Sequence, residues 1–426
     1  MNPNVLTNAM QTEGLKAAGE GPGTLLHLIR QDARRNTEAL PLPGIPDEAW
    51  RRVPKEAVEP LASALPVSGS LPSDEQVRES AVFTGEGDFF HNPGGEETLS
   101  KIEDFIGRWQ SREGRRRERR LVRPNDVEEN LAAALNLAYS PEIYLLEYGP
   151  NRSGQVQGGK LEINPRPALE SGEGKIALPL VFIHLQEDAL ADLEVVLHNS
   201  AGGPGQTILQ IIYLLDKGAD FSIRFGRVKT SEEDEPALKH LFTIERGYQE
   251  IGSRLKIGRI SRPDGVAVSD SRHALLGKSA CLEYYSIMQP GATGFAGQKS
   301  AVEHYARNTR SVVEARSVVE GGGSSLFVGT VKIPGGAAGS EANEQHRSLV
   351  LSEGARVESL PELEIVENDV KCGHASSVSE IGAEDIFYLQ SRGIPAGEAR
   401  RLLTDAFVQQ IQSKMSLSGG REDKKK

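Results

Sequence analysis

Cys372 and His374 stand two residues apart in Val370-Lys371-Cys372-Gly373-His374, a thiol and an imidazole in one short stretch. If Asp369 to Ala375 forms a strand, its period of two sends Val370, Cys372 and His374 to one face and Lys371 and Gly373 to the other. Thiolate and imidazole are ligands for soft or borderline metals, iron and zinc included, but a closed structural site needs about four ligands. A pair therefore defines an open, transient or shared site. The plainer alternative is a buried cysteine beside a hydrogen-bonded histidine, and spacing alone does not separate the two.

Other chemistry is sparse. A phosphate loop needs G-x-x-x-x-G-K-[ST], because glycine backbone wraps the phosphates while the lysine reaches them. Gly202-Gly203-Pro204-Gly205-Gln206-Thr207 has no lysine, and Gly277-Lys278-Ser279 has Arg272 where the first glycine should stand, so both read as turns. No G-x-S-x-G elbow or H-E-x-x-H zinc pair occurs, although the chain has 9 histidines. Carboxylates are plentiful, but charged positions are usually solvated faces, and the sequence reveals no pair isolated in an apolar setting.

The segments that must position Cys372 and His374 are mostly strands. From about residue 131, after the short helical LAAALNLA, apolar and polar residues alternate: Leu193, Val195, Leu197; Phe221, Ile223, Phe225; Phe327, Gly329, Val331, Ile333; Leu363, Ile365. Gly, Asp, Ser and Asn turns separate them at irregular intervals, and few long helical patterns are available as crossovers, which disfavours a doubly wound α/β sheet. A sandwich, a barrel and a parallel β-helix all fit that pattern.

After Glu380 the period changes. Ala383-Glu384-Asp385 gives an acidic first turn, Ile386 to Leu389 pack, and Gly393 followed by Pro395 provides a stop. A second helix then places Ala399, Leu402, Leu403, Ala406, Phe407 and Ile411 on one apolar stripe. The expected organisation is a mostly helical region over 1–130, a β core over 131–379, a helical domain over 380–415 and a disordered polar tail over 416–426. In the first region the arginines between Arg108 and Arg123 are interleaved with Glu113 and Glu118, and read as a solvated helix or linker rather than a phosphate or partner contact.

Charge and composition narrow the class. With 49 Lys plus Arg against 60 Asp plus Glu, the net charge of −11 argues against a general nucleic-acid binder. Its 2 cysteines are too few for a secreted disulfide framework and point to a reducing compartment. No basic head precedes an apolar stretch at the N-terminus, and no run of about 18 apolar residues occurs. A cytoplasmic protein without a membrane span is expected.

The order of the C-terminal motifs carries a resemblance. Asn368 to Ala375, then Phe387-Tyr388-Leu389-Gln390-Ser391-Arg392-Gly393-Ile394, then Ala399-Arg400-Arg401-Leu402-Leu403 and Ala406-Phe407, resemble the C-terminal signature of the SufB/SufD family of iron–sulfur cluster assembly proteins. SLFVGTVKIP, Ser348 to Ser352, LPELEI and the N-terminal LPGIPDEAWRRV fit the same family. The Lys-Cys-x-His form and the FYL-x-SRG helix sit nearer the SufD branch. Three departures stand out: Ala375 replaces a glycine, Asn368 replaces an aspartate, and Ser340-Glu341-Ala342-Asn343-Glu344 is a degraded T-D-A-x-Q.

The resemblance implies what pattern leaves open: a right-handed parallel β-helix core between an N-terminal helical region and a C-terminal helical domain. It implies a non-catalytic scaffold subunit that pairs with a SufB-like subunit and binds a SufC-type ABC ATPase through its C-terminal helices. No permanently bound cofactor is implied, only transient iron or a nascent iron–sulfur cluster at the interface with the SufB-like partner. His374 matches the residue facing the partner's cluster-building cysteine, and Cys372 matches a neighbouring family cysteine. Phe387, Tyr388, Arg392, Leu402, Leu403 and Phe407 match the segment that packs the helical domain and presents the ATPase contact. A SufB-type subunit is the alternative within the family, and a β-helix carbohydrate-active enzyme is a more distant one.

Overall fold

A computed structural model describes residues 25–39, 53–55, 57, 81–84, 96–119, 131–151, 155–171, 174–199, 205–226, 229–230 and 239–416. The tail beyond 416, most of LPGIPDEAWRRV and the glycines 202–203 lie outside the described residues.

The alternating segments wind into a parallel β-solenoid. Its strands fall into an 11-stranded and a 9-stranded sheet, and from His240 onward successive strands alternate between the two. Among the described strands every pairing is parallel except the hairpin Pro167–Ser171 with Gly174–Ala177. Strand period decides what faces inward: Leu193, Val195, Leu197, Phe221, Ile223, Phe225 and Phe327 meet Leu255, Leu282 and Val302 in one continuous core between the sheets. The repeat escapes inspection because its steps are unequal. Strands of the larger sheet begin at residues 240, 266, 295, 324 and 356.

The turn joining the two strands of a coil recurs at one position in coil after coil. Asp188, Ser279 and Asn308 take φ of 57°, 61° and 56° there, and Gly218, Gly252 and Gly339 fill the other positions of the row. Each N–H donates to the next coil, as Gly252 does to Lys278 O and Ser279 to Arg307 O. Only residues that tolerate the left-handed conformation fit this row. Gly277-Lys278-Ser279 belongs to it, which accounts for a glycine-rich stretch that is a turn and not a phosphate loop.

Helices cover the outside. α1 (Leu25–Ala39), α2 (Glu96–Arg119) and α3 (Leu131–Tyr139) lie over the larger sheet. On α2 the face Ile102, Phe105, Ile106 follows the helical period, and Phe105 stacks on Phe182 with centroids 4.5 Å apart. The arginines that follow are not a solvated face. Arg112 pairs with Asp216 and Glu250, Arg115 with Glu250, and Arg116, buried, with Glu113 and Glu303. Carboxylates on the sheet's outer surface convert a charged helix end into a docked one.

At the other side, α4 (Ala383–Ser391) follows the last strand, and α5 (Ala396–Gln412) turns back onto the smaller sheet. Gly393 at φ 84° ends α4, its N–H donating to Gln390 O and that of Ile394 to Leu389 O. The described coils end with the strands Arg356–Ile365 and Val370–Glu380, each paired with the preceding coil on one edge only.

Candidate functional site

Cys372 and His374 owe their placement to that last coil. Val370–Glu380 pairs in register with Ser340–Val350, setting Cys372 over Ala342, His374 over Glu344 and Ser376 over His346. In the earlier strand Ala342, Glu344, His346 and Ser348 are buried while Glu341, Asn343 and Arg347 are exposed. Cys372 and His374 therefore continue the inward row, on one face as the period of two requires. No further described coil covers them. His374 is exposed, without a hydrogen-bond or ion-pair partner among the described residues, and Cys372 is half-buried. Burial pushes the Cys372 thiol up, against a backbone hydrogen bond at Ala342.

One buried group in the same row escapes the spacing argument. Glu344 is 1% exposed, and neither carboxylate oxygen has a hydrogen-bond partner among the described residues. Its carboxylate lies across the lumen on Gly329, where an added Cβ would come within 2.1 Å of it. Burial pushes the carboxyl up to about 8, and the charge of Glu362 adds to the shift. The available sequence signal was the degraded motif, which puts Glu344 where the resembled family has glutamine. Its neighbour His346, also buried, is held by Ser317 at 2.8 Å and stacks on Phe327. Among the described residues no three His, Cys, Asp or Glu side chains converge as a metal cluster.

The helical residues separate into two groups. Phe387 is 72% exposed, Tyr388 58% and Leu402 42%, and α4 buries none of its residues. Arg392, also exposed, lies over the Tyr388 ring at 5.3 Å. Leu403 is half-buried, and Phe407 packs beneath Arg316 at 5.3 Å. The buried side of α5 is Ala399, Val408 and Ile411, continued by Met415 against the sheet at Gly258. The expected single stripe thus runs partly into solvent. Leu402 and Ala406 lie off the packed face, whereas Val408 lies on it.

An inward row surfacing at the last coil and an exposed aromatic helix beside it lie within one sequence match. Residues 169–407 match the family described as SUF system FeS cluster assembly, SufBD core domain, over more than half of the 426 residues. The chain belongs to the SufBD family. It is similar to the iron–sulfur cluster assembly protein SufD of Bacillus subtilis, 26% identical over 220 residues, 52% of this chain and 50% of the relative. An iron–sulfur cluster assembly SufBD family protein of Synechocystis is 38% identical over 103 residues, 24% of this chain and 23% of that protein. One from Mycobacterium tuberculosis is 30% identical over 143 residues, 34% of this chain and 17% of that protein. The chain spans half or less of the length of these relatives. Cys372, His374, α4 and Phe407 all fall within the SufBD match. No helix among the described residues is long and apolar enough to cross a membrane.

Proposed function

We propose that this SufBD protein is a SufD-type, non-catalytic scaffold subunit of a cytoplasmic SUF assembly complex. It pairs with a SufB-like subunit at the open end of the solenoid and binds a SufC-type ATPase through α4 and α5. The observation that carries this reading is the exposed inward row of the last coil. His374 and Cys372 face out of the lumen mouth, on the strand that leads within a few residues into the exposed Phe387 and Tyr388. Iron and sulfide are cargo, to be held firmly enough for a cluster to form and loosely enough for release. A site that takes few ligands from one chain and the remainder from another suits that requirement. The rigid stacked coils give the partner a fixed wall, and an ATPase gripping the helices could shift one wall against the other.

Co-expression with a SufC-type ATPase is expected to yield a stable complex, and deletion of residues after 380 to abolish it. A truncated chain that still binds the ATPase normally would remove α4 and α5 as the contact. His374→Ala is expected to leave the complex assembled while lowering cluster yield about tenfold, since even an outer-shell partner of a metal site commonly costs that much when lost. Absorbance of the reconstituted complex reads that yield, and an unchanged spectrum takes His374 out of the site.

A further inference from the structure

Buried carboxylates in native proteins are hydrogen-bonded or paired, and an exception calls for a physical reason. Glu344 is such an exception: buried, with both oxygens unpartnered among the described residues, and with the like-charged Glu362 as the only charge perturbing it appreciably. It has been given space, because the facing residue is Gly329, whose missing side chain leaves the volume the carboxylate fills. It also has a neighbour. His374 is its in-register partner in the next coil and has no hydrogen-bond or ion-pair partner among the described residues.

Backbone geometry ranks the contacts open to His374. Adjacent parallel strands lie about 4.8 Å apart, whereas residues i and i+2 along one strand lie about 6.6 Å apart. Glu344, one coil below His374, is therefore closer to it at the backbone than Cys372 is. Oxygen and imidazole nitrogen together suit divalent first-row cations such as iron(II), cobalt(II) or zinc. We infer that Glu344 and His374 are the two donors this chain supplies to a divalent first-row cation at the lumen mouth, with Cys372 outside that pair. The inference rests on the assembly reading for the identity of the cation, iron(II), but not for the existence of the pair. Water and the partner chain complete the shell, in keeping with the lack of a three-residue cluster among the described residues.

The test is anaerobic titration of the purified full-length chain with cobalt(II), followed by its visible absorption, and with iron(II) by calorimetry. Glu344→Gln, which keeps the shape of the side chain, and His374→Ala are each expected to weaken binding about tenfold or more, and Cys372→Ser to leave it within about twofold. Circular dichroism of each variant checks that the solenoid is folded. Wild-type affinity in folded Glu344→Gln, a loss in Cys372→Ser as large as that in His374→Ala, or no binding by the wild-type chain would each overturn the pair. None of these outcomes bears on complex formation with the ATPase, so the scaffold reading stands or falls separately.

Discussion

Replacing Arg116 by Ala is expected to destabilise the protein by about 3–5 kcal/mol, the usual cost of breaking a buried ion pair by removing one partner. Arg116 and Glu303 have side chains only 1% and 2% exposed, joined at 3.1 Å, and Arg116 also bonds Glu113 at 3.0 Å. Without the guanidinium, Glu303 keeps Tyr305 as a donor, and Glu113 keeps Tyr248 and Arg117, but Glu303 loses its cation. Denaturant melts of Arg116→Ala and of the Arg116→Ala/Glu303→Gln double variant measure the effect, and the double variant should recover much of the loss. The penalty also depends on pH. Burial pushes the Glu113 carboxyl up, but Arg116, with Arg272 and Arg117, outweighs it and holds the group well below the usual carboxylate range. A depressed carboxyl stabilises the fold above its unfolded value, near 4.3, and that stabilisation is lost as pH falls through the folded one. The difference between wild type and Arg116→Ala should therefore be full at pH 7 and shrink progressively below pH 4. Equal melts at pH 7 would make the clasp incidental.

The limits of the sequence follow from the same residues. The inward rows were legible because Leu193, Val195, Leu197 and Phe221, Ile223, Phe225 alternate cleanly, and period alone decides which side of a strand meets the core. Arg116 was not legible, since its partner Glu303 is 187 residues away and no local pattern marks a docked arginine. Cys372 and His374 were placed correctly on one face, but their exposure depends on whether another coil follows, which a strand does not encode. Glu344 was hidden for the opposite reason, because a carboxylate in an alternating strand looks like any solvent-facing residue until its register is known. The coil repeat was blurred by turns of unequal length, while the left-handed turn row was visible only as scattered Gly, Asn, Asp and Ser. In α5 an apolar stripe was evident, but its phase against the sheet was set by tertiary contact, so Leu402 ended in solvent and Val408 in the core.

Arg259→Met is expected to cost a further 3–5 kcal/mol by the same physics in a drier place. Glu245 is fully buried inside the solenoid, and Arg259 donates to it at 2.7 Å while its guanidinium lies 3.7 Å above the Phe225 ring. Tyr213 and Tyr284 donate to the same carboxylate at 3.0 and 3.1 Å, and Arg259 also reaches the Tyr284 hydroxyl at 3.2 Å. Burial works against the charged Arg259, but Glu245 together with Tyr284 and Tyr213 outweighs it and raises the guanidinium further above its ordinary value. Removing the cation leaves the carboxylate with three hydroxyl donors, Tyr213, Tyr284 and Ser269, the last at 3.4 Å. Arg259→Met/Glu245→Gln should restore most of the stability, since the amide oxygen still accepts from a tyrosine and no unpaired charge is left at that position. The pair is coils away from the mouth, so folded Arg259→Met should bind cobalt(II) with wild-type affinity while melting earlier. Loss of both together would mean that the lumen network positions the end coil, and that the site and the solenoid interior form one cooperative unit.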